Sequence, residues 1–308
     1  MLWVYRSNRI DANNGLAPTA PTRAHMTPSA SPPSIPHSIA FIGGGNMARS
    51  LVGGLISHGQ PSDRIAVSEP QAELRAALAA DFSVACQADN AAVAARAEVL
   101  VLAVKPQAMR AVCRELAPVL AQRRPLLLSI AAGVRTGQIA SWIGTHLAIV
   151  RAMPNTPALI RAGVAGLYAN ELATGPERDR AEEIMAATGS TVWVEDEDAL
   201  DAVTAVSASG PAYCFLLMEA MEQAALDQGL APAIARELSV QTALGAALMA
   251  RASTEEPAQL RARVTSPGGT TEAALEVLER SDFRALVANA VDAATKRART
   301  LSHELDAT

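Results

Sequence analysis

The stretch Ser38-Ile39-Ala40-Phe41-Ile42-Gly43-Gly44-Gly45-Asn46-Met47-Ala48 decides the fold. Five residues of buried-strand pattern run directly into a glycine turn, and a helix-compatible segment, 49–57, follows. This is Gly-x-Gly-x-x-Ala in the context that gives it meaning. Gly43 can turn tightly, Gly45 lets backbone approach a pyrophosphate with no side chain in the way, and small Ala48 lets the helix pack on a sheet while its N-terminus faces the anion. A ligand-free βα turn could use the same glycines, so the weight rests on the neighbouring pattern.

That pattern is regular. Short β-branched runs at 38–42, 64–68, 98–104, 126–130, 147–150, 164–168 and 191–194 alternate with helix-length segments, which predicts βαβ units and a parallel sheet. After residue 198 the strand signal stops and helices are expected at 211–228, 231–252, 270–280 and 282–301. The expected organisation is therefore α/β: a tail at 1–36, a Rossmann-type dinucleotide domain at 37–198, and an all-helical substrate and dimerisation domain at 199–308. The tail is rich in Pro, Ser, Thr, Ala and Asn without periodicity and is expected to be disordered, with Met26 as an alternative start. The helix from Pro211 is apolar almost all round (Tyr213, Phe215, Leu216, Leu217, Met218, Met221), which implies burial on every side, including against another subunit.

Composition narrows the function. The chain has 308 residues, 50% of them hydrophobic but only 3% aromatic, so Ala, Val, Ile and Leu must fill the core. With 26 basic against 31 acidic residues the net charge is −5, without the basic excess that nucleic-acid binders use. No uninterrupted apolar run approaches the roughly 18 residues of a membrane span, so no membrane partner is expected. Cys86, Cys113 and Cys214 fit neither a disulfide framework nor a metal site, and point to a reducing compartment, the cytoplasm.

Further candidates lie where strands end. Glu69, after the second run, could accept hydrogen bonds from both hydroxyls of an adenosine ribose and would repel the 2′-phosphate of NADP unless a cation such as Arg75 intervened. Val104-Lys105-Pro106 and Ala131-Ala132-Gly133 end two further strands, and Lys105, one of only two lysines, offers a specific point charge. Among the helices, 207–213 reads Ser-Ala-Ser-Gly-Pro-Ala-Tyr, a helix start. The segment 264–272 reads Val-Thr-Ser-Pro-Gly-Gly-Thr-Thr-Glu, whose amides and hydroxyls suit a carboxylate. None of the five histidines lies in these loops. A site of hydroxyls without a general base suits hydride transfer to an already protonated imine better than to a ketone.

In order and spacing, Phe41 to Ala48, Ala103-Val104-Lys105-Pro106-Gln107, Arg151-Ala152-Met153-Pro154-Asn155-Thr156-Pro157, 201–213 and 264–271 resemble pyrroline-5-carboxylate reductase over about residues 38–302. The resemblance implies a Rossmann domain, a helical domain interlocked with a second subunit into a homodimer, assembly into larger rings, NADPH or NADH as hydride donor, a small cyclic imino acid as substrate and L-proline as product. It implies Gly43, Gly45, Asn46 and Met47 at the pyrophosphate, Ser68 and Asn90 on the adenosine side, and Val104, Lys105, Pro106, Ala132 and Gly133 at the nicotinamide end. Ser266, Gly268, Gly269 and Thr270 would hold the substrate carboxylate and Thr271 the imine nitrogen, with Thr271 and Lys105 the catalytic candidates. One departure is Ala208, where the family's Ser-Gly-Ser-Gly-Pro carries glycine. Two other readings stand beside it: a β-hydroxyacid dehydrogenase type reductase, whose catalytic lysine would have to be Lys296, and a non-catalytic dinucleotide-binding regulator.

Overall fold

The computed structural model describes residues 37–307; the tail and the alternative start at Met26 lie outside them. In chain order the elements are β1 (Ile39–Ile42), α1 (Asn46–Ser57), β2 (Ile65–Ser68), α2 (Ala72–Phe82), β3 (Ala85–Gln87), α3 (Asn90–Ala94), β4 (Val99–Leu102), α4 (Pro106–Arg123), β5 (Leu126–Ser129), α5 (Thr136–Ile143), β6 (Ile149–Met153), β7 (Gly163–Ala169), α6 (Gly175–Ala186) and β8 (Gly189–Trp193). Helices follow: α7 (Ala199–Val203), a π turn (Thr204–Ala208), α8 (Gly210–Asp227), α9 (Pro232–Ala252), α10 (Pro257–Arg263), α11 (Thr270–Arg280) and α12 (Phe283–Ala307).

The eight strands form one sheet in the order β3-β2-β1-β4-β5-β6-β7-β8. β1 and β4 at its centre are apolar at every position because successive side chains point to opposite, covered faces. Ile39, Phe41, Val99, Val101, Leu126 and Leu128 pack with α1, α2 and α6 on one side; Ala40, Ile42, Leu100, Leu102 and Leu127 pack with α3, α4 and α5 on the other. The order reverses between β1 and β4, both parallel to their neighbours, and a crevice opens beyond their carboxyl ends.

One pairing departs from the parallel expectation. β7 runs antiparallel to β6, with Val150 opposite Ala169 and Met153 opposite Gly166. The thirteen residues between the two expected strands could have held a crossover helix, but Pro154 and Pro157 direct the chain into a short 3-10 turn, Thr156–Ile160, that reverses it. The expected strand at 147–150 also sits two residues further along.

Beyond β8 the helices close only partly on the sheet. α7 and the π turn pack against α12, whereas α8 pairs with α9 and buries none of its own residues. Phe215 and Leu216 are 64% and 66% exposed, so the burial expected for this helix is not supplied by its own chain. By length and composition the continuous helical run Ala199–Asp227 could also cross a membrane. The run is not uninterrupted, being broken by Asp201, Thr204, Ser207, Ser209, Gly210 and Pro211, but its mean hydropathy is high.

Candidate active site

The glycine turn sits at the switch point of the sheet. Gly43, with φ +101°, lies against the exit of β4: a Cβ there would stand 2.7 Å from the Ala103 carbonyl oxygen. Gly45 has the opposite surroundings, with nothing within 4 Å of the place a Cβ would take. It is also the N-cap of α1, and no side chain bonds the free amides of that helix. Asn46 is exposed and Met47 half-buried. The turn therefore presents uncapped N–H groups to open space, the arrangement an anion requires.

Glu69, the expected ribose acceptor, is turned back onto its own chain. It is buried, and one carboxylate oxygen accepts from the Gly44 amide at 2.8 Å while the other accepts from the Gln71 amide at 3.0 Å. Both oxygens clasp the chain's own backbone, with one lone pair on each still open to a further donor. Arg75 folds over the same corner, its Nη1 donating to the Glu69 and Pro70 carbonyls at 2.7 Å each. Ser68 and Asn90, by contrast, come together: Ser68 Oγ donates to Asn90 Oδ1 at 2.6 Å, and Asn90 Nδ2 donates to Glu115 at 3.1 Å.

On the other side of the crevice Lys105 is the exposed N-cap of α4, with Pro106 starting the helix and Val104 half-buried before it. Ala132 is exposed and Gly133 half-buried, between the buried anchors Ala131 and Val134. The far end of this loop is fastened by a residue the sequence did not single out. Glu197, between β8 and α7, accepts from Thr136 N at 2.8 Å and Thr136 Oγ1 at 2.9 Å, and pairs with Arg151 Nη1 at 3.3 Å. Arg151 is 2% exposed; burial pulls its pKa down, and Glu197 offsets part of that. Arg135 adds Asp198 at 2.6 Å and donates to Ser302 on α12 at 3.2 Å. Asp201 Oδ2 has no hydrogen-bond donor; Arg135 and Arg299 stand 3.8 and 3.9 Å away, and burial pushes this carboxyl up despite the surrounding guanidinium groups.

The 266–271 loop is exposed and precedes α11, which packs chiefly on α12. Gly268 has φ +70°, and its amide, one of the expected anion donors, is taken by Glu272 at 2.7 Å. The N-cap is Gly269, whose amide bonds Ser266 O at 3.0 Å. Thr270 and Thr271 are exposed in the first turn, and neither caps the helix. Among the described residues no hydrogen bond joins this loop to the glycine turn of the same chain. A cavity of about 460 Å³ between α10, α11 and α12 is lined by none of the expected site residues.

A doubly wound sheet with an open glycine turn at its switch point, followed by a helical half, defines a two-domain pyridine-nucleotide oxidoreductase. Residues 38–133 match the family described as NADP oxidoreductase coenzyme F420-dependent, and residues 197–301 match pyrroline-5-carboxylate reductase dimerisation. The chain belongs to the pyrroline-5-carboxylate reductase family. It is 50% identical to the Pseudomonas aeruginosa pyrroline-5-carboxylate reductase, over 87% of this chain and 97% of that one. The Haemophilus influenzae enzyme is 44% identical, over 85% and 97%. Among solved structures, the Coxiella burnetii pyrroline-5-carboxylate reductase superposes with a TM-score of 0.84 at 46% identity, covering 86% and 98%. The Plasmodium falciparum enzyme with NADP bound gives 0.76 at 27%, covering 87% and 99%.

Proposed function

We propose that this enzyme reduces 1-pyrroline-5-carboxylate to L-proline with NADPH or NADH. The observation that carries the reading is the uncapped N-terminus of α1 beneath an open Gly45, in a chain that matches its relatives over nearly their whole length. Residues 37–198 form the cofactor half and 199–308 the substrate and dimerisation half. Gly43 shapes the turn, and the amides of Gly45, Asn46 and Met47 hold the pyrophosphate. Ser68 and Asn90 meet the adenosine side. Val104, Lys105 and Pro106 face Ala132 and Gly133 across the nicotinamide end. When bound, the cofactor supplies a hydride.

The substrate carboxylate takes the amides and hydroxyls of Ser266, Gly268, Gly269 and Thr270, displacing Glu272 from the Gly268 amide. Thr271 Oγ1 accepts the N–H of the protonated imine. As hydride arrives at the carbon, the C=N electron pair moves to nitrogen, which becomes a neutral amine able to accept from the same hydroxyl. No general base is needed. Because the two loops are unjoined in one chain and α8 is uncovered, two chains pair through α8 and α9 and the loop of one completes the crevice of the other; such dimers can build larger rings. The unpaired cysteines fit a cytoplasmic enzyme.

Steady-state oxidation of NADPH and NADH with pyrroline-5-carboxylate, beside its six-membered analogue, tests this reading, and no oxidation of either cofactor at saturating imine overturns it. Thr271→Val removes the contact to nitrogen. A neutral hydrogen bond of about 1–2 kcal/mol, lost in the transition state, lowers kcat/KM roughly five- to thirtyfold. Since Thr271 is not a cap, melting should be unchanged, and wild-type kinetics would remove it from the mechanism. Glu69→Gln leaves one backbone amide facing an amide, a loss of about 1–2 kcal/mol. It should raise KM for NADPH and NADH by the same few-fold factor and lower melting; a selective gain for NADPH would mean the carboxylate faces the ribose after all.

A further inference from the structure

The helical arm leaves the sheet through a joint with a built-in defect. In a helix the carbonyl of Ser207 would accept from the amide four residues later, but residue 211 is proline and has no N–H. The amides on either side are engaged elsewhere, Ser209 N at Thr204 O and Ala212 N at Ser209 O. The missing donor comes from across the fold: Asn155 Nδ2 donates to Ser207 O at 3.0 Å. The other end of the same carboxamide, Oδ1, accepts from Val164 N at 2.9 Å, extending the β6–β7 ladder by one bond. Asn155 is 8% exposed, and with both ends engaged its amide can sit only one way round.

The surrounding turn packs on α12 on one side and takes this contact on the other. Ser209 N reaches Thr204 O, five residues back, at 2.9 Å, while Thr204 Oγ1 and Ser207 Oγ bond the carbonyls of Leu200 and Val203. Within the turn these bonds are all local, whereas Ser207 O is tied to the carboxyl edge of the sheet. Inserted π geometry changes the direction in which a helix continues. Packing on α12 seats this joint, and the Asn155 amide adds a directional tie from the sheet edge to the carbonyl at its turn.

We propose that Asn155 is a positioning residue for imine reduction: it supplies the donor that Pro211 withholds, and so sets the angle at which the dimerisation arm leaves the sheet. The inference rests on the reading that a second chain's 266–271 loop completes this chain's crevice. A change in that angle moves the imine carbon away from the nicotinamide without touching the cofactor's own contacts.

The test uses the full-length enzyme and four variants, with kcat, KM for both substrates, NADPH affinity by fluorescence, light scattering and melting. Asn155→Ala and Asn155→Asp should each lower kcat at least tenfold while cofactor affinity and assembly stay unchanged. Pro211→Ala alone should stay within about twofold of wild type. In Asn155→Ala with Pro211→Ala, residue 211 regains an N–H for Ser207 O, and kcat should return to within about threefold of wild type. Melting should remain depressed in the double variant, because Val164 N is still unpaired. If Asn155→Ala keeps wild-type kcat, or if the double variant is as slow as Asn155→Ala, the proposal falls; should Asn155→Ala not fold, a wild-type kcat in Asn155→Asp overturns it equally. A wild-type enzyme inactive on pyrroline-5-carboxylate would instead sink the functional reading.

Discussion

Gly43→Ala should unfold at much lower temperature than the wild type and show no stabilisation by added NADPH. Two independent penalties meet at this position. A φ of +101° strains any residue with a Cβ, and that Cβ would lie 2.7 Å from the oxygen and 2.9 Å from the carbon of the Ala103 carbonyl. Both are backbone atoms of the β4 exit, which is itself held by Ala103 N donating to Ile42 O at 2.8 Å. Relief requires parting β1 from β4 at the switch point, at a cost of about 3–5 kcal/mol. Bound ligand stabilises by RT ln(1 + [L]/Kd), so the absent shift reports the lost site directly. Gly45→Ala is the control: with nothing within 4 Å of its Cβ it should melt like the wild type. Equal melting of the two variants would show that the β4 exit yields easily.

The second large effect is expected at Glu197. Replacing it with alanine leaves the Arg151 guanidinium, 2% exposed, without its hydrogen-bonded carboxylate, and strands the Thr136 amide. Breaking a buried ion pair from one side costs about 3–5 kcal/mol, most of it the penalty of the uncompensated charge. Arg151→Met should cost less, because Glu197 keeps both Thr136 donors. Glu197→Ala combined with Arg151→Met should then be more stable than Glu197→Ala alone. Urea unfolding of the three variants closes the cycle. Strict additivity would mean that the pair is not coupled.

How far the sequence disclosed all this depends on the range of the interaction. β1 and β4 were legible because strands covered on both faces are apolar at every position, and β5 because only its last residue, Ser129, breaks that pattern. The glycine turn was legible because its chemistry is contiguous. β3 was not: Ala85-Cys86-Gln87 has no β-branched residue and is a strand only because β2 pairs with it. α10 was overlooked although Glu256, Pro257 and Gln259 form a capping box with proline at its start, a local signal that was there to be used. The acid at 69 was visible, but nothing local says whether a carboxylate turns toward a ligand or back onto the amide of Gly44. Glu197 and Asn155 lay further out of reach. Glu197 is 61 residues from Thr136, and Asn155 is 52 from Ser207, so each role exists only once the sheet has brought the partners together.

The uncovered arm also orders the life of the chain. Both apolar layers around the sheet are completed by residues before 188, all of them upstream of the arm. A nascent chain can bury that core while still being synthesised, but in the proposed dimer α8 must wait for another molecule. Maturation therefore ends in a bimolecular encounter. Refolding half-times shorten as protein concentration rises, until unmatched arms begin to collide out of register and yield falls. Supply of the finished enzyme then varies with the square of chain abundance at low expression, a nonlinearity set by one pair of helices.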